Sequence, residues 1–290
     1  MRRRGRGGPG EFTERLARVE GVLAGATAAG AAGPLRLLGA VLRHQAAAAT
    51  TLAEVTDGWE VRLATGCFPL LDLDASREAI AGGIGPALAA LAEEAAGGIV
   101  PEPLAAAGRE LVAAAPAERV GLVEDWLEDQ TVVEPRAAFW IRVAAAPVLE
   151  PARAVLRTPS RDEWTGPACP ACGGLAQVSV IAEESGEFMG GSPRSLVCGR
   201  CAGWWTFPRA MCTWCAEDDP GRLPSFLPEG SRAVRIDACQ TCGAYVKTFD
   251  LRALGGVDVV PLVDDVATMT LDVWAHEQGW HRPLVSLAGV

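Results

Sequence analysis

Eight of the nine cysteines in this 290-residue chain fall in four C-x2-C pairs between Cys169 and Cys242. Two cysteines separated by two residues aim both sulfurs at one point, and the N–H groups of the intervening turn can offset thiolate charge. A second pair then completes a tetrahedral S4 site for a soft or borderline metal. The gaps between successive pairs are 25, 10 and 23 residues. The two long gaps are nearly equal, and each suits a hairpin or a short sheet. Sequential pairing is the simplest reading: Cys169, Cys172, Cys198 and Cys201 form site 1, and Cys212, Cys215, Cys239 and Cys242 form site 2. An interleaved cross-brace is the alternative, and the equal gaps argue against it. Glycine follows the second cysteine in C-P-A-C-G and C-Q-T-C-G, where the turn favours positive φ and a residue without Cβ. Ala202 and Ala216 stand at the matching positions of the partner pairs.

Other cysteine chemistries fit less well. Structural disulfides belong to oxidising compartments, and the start MRRRGRGGPGEF carries arginines with no apolar run behind them, so it reads as a disordered leader and not as an export signal. A thioredoxin-like motif explains one C-x2-C, not four in tandem. Sulfur ligands alone do not separate zinc from a mononuclear iron. The lone Cys67 reads as a buried small hydrophobe. Trp204, Trp205, Phe207 and Trp214 crowd the region between the sites and read first as core packing, with shielding of the metals or a contact surface as alternatives. His276 and His281, five residues apart without a carboxylate array, read as exposed. No Ser–His–Asp set, phosphate loop or H-E-x-x-H motif appears.

The elements that must position these cysteines follow from a shift in composition near residue 160. Residues 11–157 are rich in Ala and Leu at helical spacing, predicting helices over 11–30, 34–56, 75–97, 101–114, 117–130 and 135–149. Pro34, Pro101, Pro116 and Pro135 fit starts or breaks. Residues 160–168 read as a linker. Short β-like pieces then lie between the cysteine pairs (LAQVSVIA, WWTF, RAVRI, AYVKTF), and Pro261 to about Gln278 returns to helix with Asp264 and Asp265 in its first turn.

The charge balance bears on partners. The formal net charge is −10. Residues 165–260 carry 8 basic and 10 acidic side chains. Eight thiolates around two divalent ions add a further −4, which leaves the segment near −6, a poor match for a phosphate backbone. Nucleic-acid binding is therefore disfavoured, no membrane-spanning run is visible, and the expected location is the cytoplasm.

The residues around the cysteines carry a resemblance. The stretches are C-P-A-C-G-G from Cys169, R-S-L-V-C-G-R-C-A-G-W-W from Arg194, F-P-R-A-M-C-T-W-C from Phe207, I-D-A-C-Q-T-C-G-A-Y-V-K from Ile236 and V-D-D-V-A-T-M-T-L-D from Val263. In order, spacing and flanks they resemble the FdhE family of bacterial formate dehydrogenase accessory proteins. The resemblance covers about 165–282 and is thin before that. It implies an α+β fold: a helical N-terminal domain (11–160, behind a leader at 1–10), two tandem rubredoxin-like, zinc-ribbon-like S4 metal domains (165–208 and 209–258) and a C-terminal helix and tail (259–290). It implies a non-enzymatic maturation factor that engages the catalytic subunit of formate dehydrogenase, with iron as the expected metal and zinc as the alternative. Tyr245 and Lys247 are the only Tyr and Lys of the chain. With Asp264 and Asp265 they are candidate partner contacts, set against a half-buried tyrosine and a helix cap; Asp272 matches the family pattern too. A rubredoxin-type electron carrier and a nucleic-acid-binding zinc ribbon are the competing functions.

Overall fold

The computed structural model describes residues 9–25, 30–55, 67–94, 98–182, 192–228, 233–253, 259–287 and 289. Residues 1–8 of the expected leader at 1–10, residues 26–29 of the first predicted helix, and the far ends of the second and third, at 56 and 95–97, lie outside the described residues; Pro9 and Gly10, expected in the leader, open the first helix instead.

Among the described residues, six helices fill the N-terminal half: α1 (Pro9–Ala24), α2 (Ala32–Val55), α3 (Leu73–Glu94), α4 (Glu102–Ala113), α5 (Pro116–Glu128) and α6 (Pro135–Ala154). Prolines open α4 to α6 because a first-turn N–H has no intrahelical acceptor to lose. The Glu134 carboxylate caps α6 by accepting from the N–H groups of Arg136 (2.9 Å) and Ala137 (3.1 Å). The middle of α6 is buried on all sides, from Trp140 to Glu150, so α6 is the axis around which α2, α3 and α4 pack. Gly108 lets α4 approach it: a Cβ there would stand 2.7 Å from the Trp140 ring. The Trp140 indole N–H, buried by that contact, donates to Leu104 O at 2.8 Å.

The cysteine-bearing half forms one six-stranded sheet in the order β3-β2-β1-β6-β5-β4. Its strands are β1 (Ala176–Ile181), β2 (Arg194–Cys198), β3 (Trp204–Phe207), β4 (Ser225–Phe226), β5 (Val234–Ala238) and β6 (Tyr245–Asp250). Each metal unit contributes an antiparallel three-strand meander. The two meanders join through a parallel seam, with Val178 opposite Lys247 and Val180 opposite Phe249. Strands β2 and β6 are buried throughout and β1 nearly so, as expected for a seam covered on both faces.

The C-terminal segment makes two helices, α7 (Pro261–Ala267) and α8 (Met269–Glu277), where the sequence pattern predicts one. The break falls at Thr268, whose ψ of 27° is outside the helical range. The Thr268 hydroxyl donates to Asp264 O at 2.7 Å, and the Lys247 ammonium donates to Asp265 O at 2.6 Å. Asp264 O still accepts from Thr268 N at 3.0 Å, but Asp265 O, the next carbonyl of the ladder, is claimed by the lysine side chain. Helix α8 closes over β5 and β6 through Ile236, Ala238, Tyr245 and Ala275. Arg18 of α1 holds Asp264 of α7 at 2.6 Å, which binds the two ends of the described chain together.

Candidate metal centre

The eight paired cysteines gather into two groups in the sequential order: Cys169, Cys172, Cys198 and Cys201, then Cys212, Cys215, Cys239 and Cys242. Within each group the ligand atoms lie within 4.8 Å of one another. The closest Sγ pairs are 3.5 Å (Cys172–Cys198) and 3.7 Å (Cys169–Cys201) in site 1, and 3.7 Å (Cys212–Cys242, Cys215–Cys239) in site 2. A disulfide requires about 2.05 Å. Four sulfurs bound tetrahedrally at about 2.3 Å from one ion stand roughly 3.8 Å apart. The observed spacing fits a metal cage and excludes bridging.

All four knuckles use the same local device. The N–H of the first cysteine donates to the carbonyl five residues on: Cys169 to Gly174, Cys198 to Gly203, Cys212 to Glu217 and Cys239 to Ala244, at 2.8–2.9 Å. The residue after the second cysteine has positive φ in each case: Gly173 (68°), Ala202 (52°), Ala216 (60°) and Gly243 (75°). The two alanines adopt the left-handed conformation despite their Cβ, at a cost of about 1–2 kcal/mol each. Turn N–H groups point at sulfur, with Arg200 N 3.3 Å from Cys198 Sγ and Trp214 N 3.4 Å from Cys212 Sγ.

The surroundings of the sites differ. The four thiols of site 1 belong to the main hydrophobic core, together with Trp126, Trp140 and Leu149. Arg200 anchors that site: its guanidinium donates to Cys172 O (2.7 Å) and Trp126 O (2.9 Å) and lies over the Trp126 ring. Four sulfurs in so dry a place resist sharing negative charge. Burial pushes the Cys169 thiol up, while Cys198, also opposed by burial, is drawn down by hydrogen bonds from the other cysteines. A divalent cation resolves that conflict. Site 2 lies at the outer end of the sheet, with Cys215 exposed and Cys242 half-buried.

The remaining candidates need correction. Tyr245, Lys247 and Asp265 do not face outward: each is at most 3% exposed. Lys247 Nζ lies 2.5 Å from Asp272 Oδ2 and 2.9 Å from Asp265 Oδ1. Arg282 bridges the same two carboxylates at 3.0 and 2.7 Å, and the Tyr245 hydroxyl donates to Asp272 Oδ1 at 2.9 Å. Gln177 of β1 donates to Asp265 Oδ2 and accepts from Arg142 of α6. A buried ammonium needs carboxylates and a buried carboxylate needs cations, which is why these residues turn inward together. Burial opposes the ionised form of Asp265, but Arg282 and Lys247 outweigh it and hold the carboxyl below the ordinary aspartate range. Burial and the Asp272 charge push the Tyr245 hydroxyl up. Asp264 is also buried; it caps α7 by accepting from Val260 N at 2.7 Å and pairs with Arg18. Cys67 is exposed, not buried, on a segment where Phe68 is exposed as well. Trp205 and Phe207 are core residues, Trp204 is half-buried and Trp214 is exposed. His276 and His281 are exposed, as the sequence suggests. Arg142, Gln177, Arg200 and Arg282 escape sequence reasoning because no spacing marks a buried arginine or glutamine.

Residues 211–288, which hold site 2, the buried ion network's β6, α7 and α8, and Arg282, match the family model described as FdhE, C-terminal domain. This part of the chain is thus similar to the C-terminal domain of FdhE proteins. An FdhE homolog of Aquifex aeolicus is 33% identical over 119 residues, 41% of this chain and 40% of that protein. One from Shewanella baltica is 33% identical over 112 residues, 39% of this chain and 35% of that protein. The chain thus aligns with less than half the length of these FdhE relatives. The crystal structure of the FdhE protein from Pseudomonas aeruginosa superposes with a TM-score of 0.56 at 21% identity, covering 98% of this chain and 96% of that one. The FdhE fold therefore extends through the helical half, where the sequence resemblance is thin.

Proposed function

We propose that this protein is a maturation factor for formate dehydrogenase, binding the catalytic subunit in the cytoplasm through a surface organised by two metal ions, each held by four cysteines, without itself oxidising formate. The observation that carries the reading is the pair of S4 cages mounted on one sheet in a chain similar to FdhE proteins. Two ions fix two knuckle units that have little core of their own, and the shared sheet fixes the ions relative to each other. The described residues include no helix long and apolar enough to cross a membrane. The cages accept iron or zinc with the same donor set. Iron would add reversible one-electron chemistry, and the exposed edge at Cys215 gives site 2 access for it.

The test is capture of the formate dehydrogenase catalytic subunit by the tagged full chain, under anaerobic and aerobic conditions. Retention is expected, with loss on removing either ion. Absence of retention in both atmospheres refutes the reading. An optical spectrum and metal analysis of anaerobically purified protein accompany it. Colourless, fully zinc-loaded protein removes the electron-carrier reading and leaves the binding role standing.

A further inference from the structure

We propose that the two metal sites are functionally unequal: site 1 holds its ion as a locked part of the core, while site 2 is an exchange site that takes and releases its ion through Cys215. The proposal rests on both cages being metal sites and not on the identity of the client.

The asymmetry is built into the fold. In site 1 the cysteines are 2%, 0%, 0% and 1% exposed, and all four sit in the core that the helices share. Its first knuckle is bonded by backbone to the segment before α3, Leu70 N to Pro170 O and Leu71 N to Ala171 O. Gln130 at the end of α5 accepts from Leu175 N, and Arg200 ties the second knuckle to α5 at Trp126 O. An incoming ligand reaches that ion only after helices and sheet part, a large cooperative opening. Among the described residues site 2 is less covered, although Cys212 and Cys239 are buried and His281 N donates to Gly243 O beside the second knuckle. Cys215 is exposed and Cys242 half-buried. Its knuckles are joined to each other by local contacts: Thr241 Oγ1 to Glu217 Oε2 and Gln240 N to Arg222 O.

Exchange at site 2 is a ligand substitution. An incoming thiolate or nitrogen donor forms a bond to the metal as the metal–Sγ bond of Cys215 breaks. The released thiolate takes a proton from water, and no electron moves. Repetition at Cys242 transfers the ion to a thiolate-bearing acceptor, or in reverse loads it from a donor.

The experiment uses the full chain loaded with two zinc ions and challenged with excess 4-(2-pyridylazo)resorcinol. Release is expected in two phases of one ion each, separated by about tenfold or more in rate because only the slow one requires sub-global opening. Protein quenched with iodoacetamide after the fast phase is expected to carry label on Cys212, Cys215, Cys239 and Cys242, with the site 1 cysteines protected. Cys215→Ser is expected to lose the fast phase and keep one slow ion; should that variant not fold, the labelling map of the unaltered protein still decides. A single phase of two ions, or early label on Cys169, Cys172, Cys198 or Cys201, overturns the proposal. Failure to load two ions overturns it together with the metal reading, an outcome distinct from two ions leaving together. Failed capture of formate dehydrogenase changes none of these readouts.

Discussion

Replacing Lys247 by methionine tests the claim that this residue is internal wiring. Its ammonium pairs with Asp272 at 2.5 Å and Asp265 at 2.9 Å and holds the Asp265 carbonyl of α7, and its side chain is fully buried. Methionine nearly keeps the volume of the stem, so the packing cost is small. What remains is two buried carboxylates that have lost one of the two cations bridging them. Removing one member of a buried ion pair costs about 3–5 kcal/mol. If the chain melts as one unit, that lowers Tm by roughly 5–8 °C for a protein of this length. The assay is urea and thermal unfolding of Lys247→Met beside the unaltered protein, both carrying the same number of metal ions. Lys247→Met/Asp272→Asn completes a double-mutant cycle. Asparagine still accepts from Tyr245 and Arg282 but no longer needs the ammonium, so the double variant is expected to be more stable than the sum of the singles by at least about 1 kcal/mol. A single variant within about 1 kcal/mol of the unaltered chain, or two effects that simply add, refutes the reasoning; a solvated lysine gives that result.

Asp265→Asn probes the same cluster by pH. The Asp265 carboxyl is held below its ordinary value by Arg282 and Lys247 against burial, so the unfolded chain binds more protons and the stabilisation falls as pH falls. The stability gap between the two proteins, measured by urea unfolding, should be constant above about pH 5 and close below about pH 4, the ordinary aspartate range. Ala202→Gly and Ala216→Gly relieve positive-φ alanines, and each should stabilise by up to about 1 kcal/mol, less the entropy glycine gains when unfolded; a loss above about 1 kcal/mol in urea titration would contradict the strain argument. Alanine normally stabilises a helix over glycine by about 1 kcal/mol. At Gly108 the sign should reverse, because the new Cβ meets rigid ring atoms of Trp140 at 2.7–2.8 Å, and a lowered urea midpoint for Gly108→Ala checks it.

The knuckles were legible because they are local. Eight cysteines at fixed spacing, with glycine where φ must be positive, encode the turn without reference to the rest of the chain. The helices of the first half read to within a few residues for the same reason, since proline and apolar spacing act over one or two turns. The seam between β1 and β6 was not legible: Val178 and Lys247 are 69 positions apart, and no local pattern states that two metal units share one sheet. Strand β2 was hidden because R-S-L-V-C reads first as the flank of a knuckle. Lys247 misled for a physical reason. Lysine is almost never fully buried unless paired, and its partners Asp265 and Asp272 read as the polar side of a surface helix. The break at Thr268 follows from the same lysine and so was equally invisible.

The buried polar residues between the two cages therefore acquire a common role. Gln177 follows Cys172 of site 1 by five positions, and Tyr245 follows Cys242 of site 2 by three. Between them runs one uninterrupted path of buried contacts: Gln177 to Asp265, Asp265 to Lys247 and Arg282, both of these to Asp272, and Asp272 to Tyr245. The path crosses the only parallel pairing among the described strands, where hydrogen bonding is slightly weaker per residue than in the antiparallel meanders. It also fastens α7 and α8 across that seam, and Arg142 extends it into the helical core. Each knuckle pair could fold around its ion independently; what an independent knuckle cannot do is keep a fixed distance and angle to the other. A buried network of opposite charges has few alternative arrangements, because every displaced partner leaves a charge uncompensated. The two cages are thereby held as one rigid pair, with a spacing set by Lys247, Asp265, Asp272 and Arg282 and not by the cysteine knuckles alone.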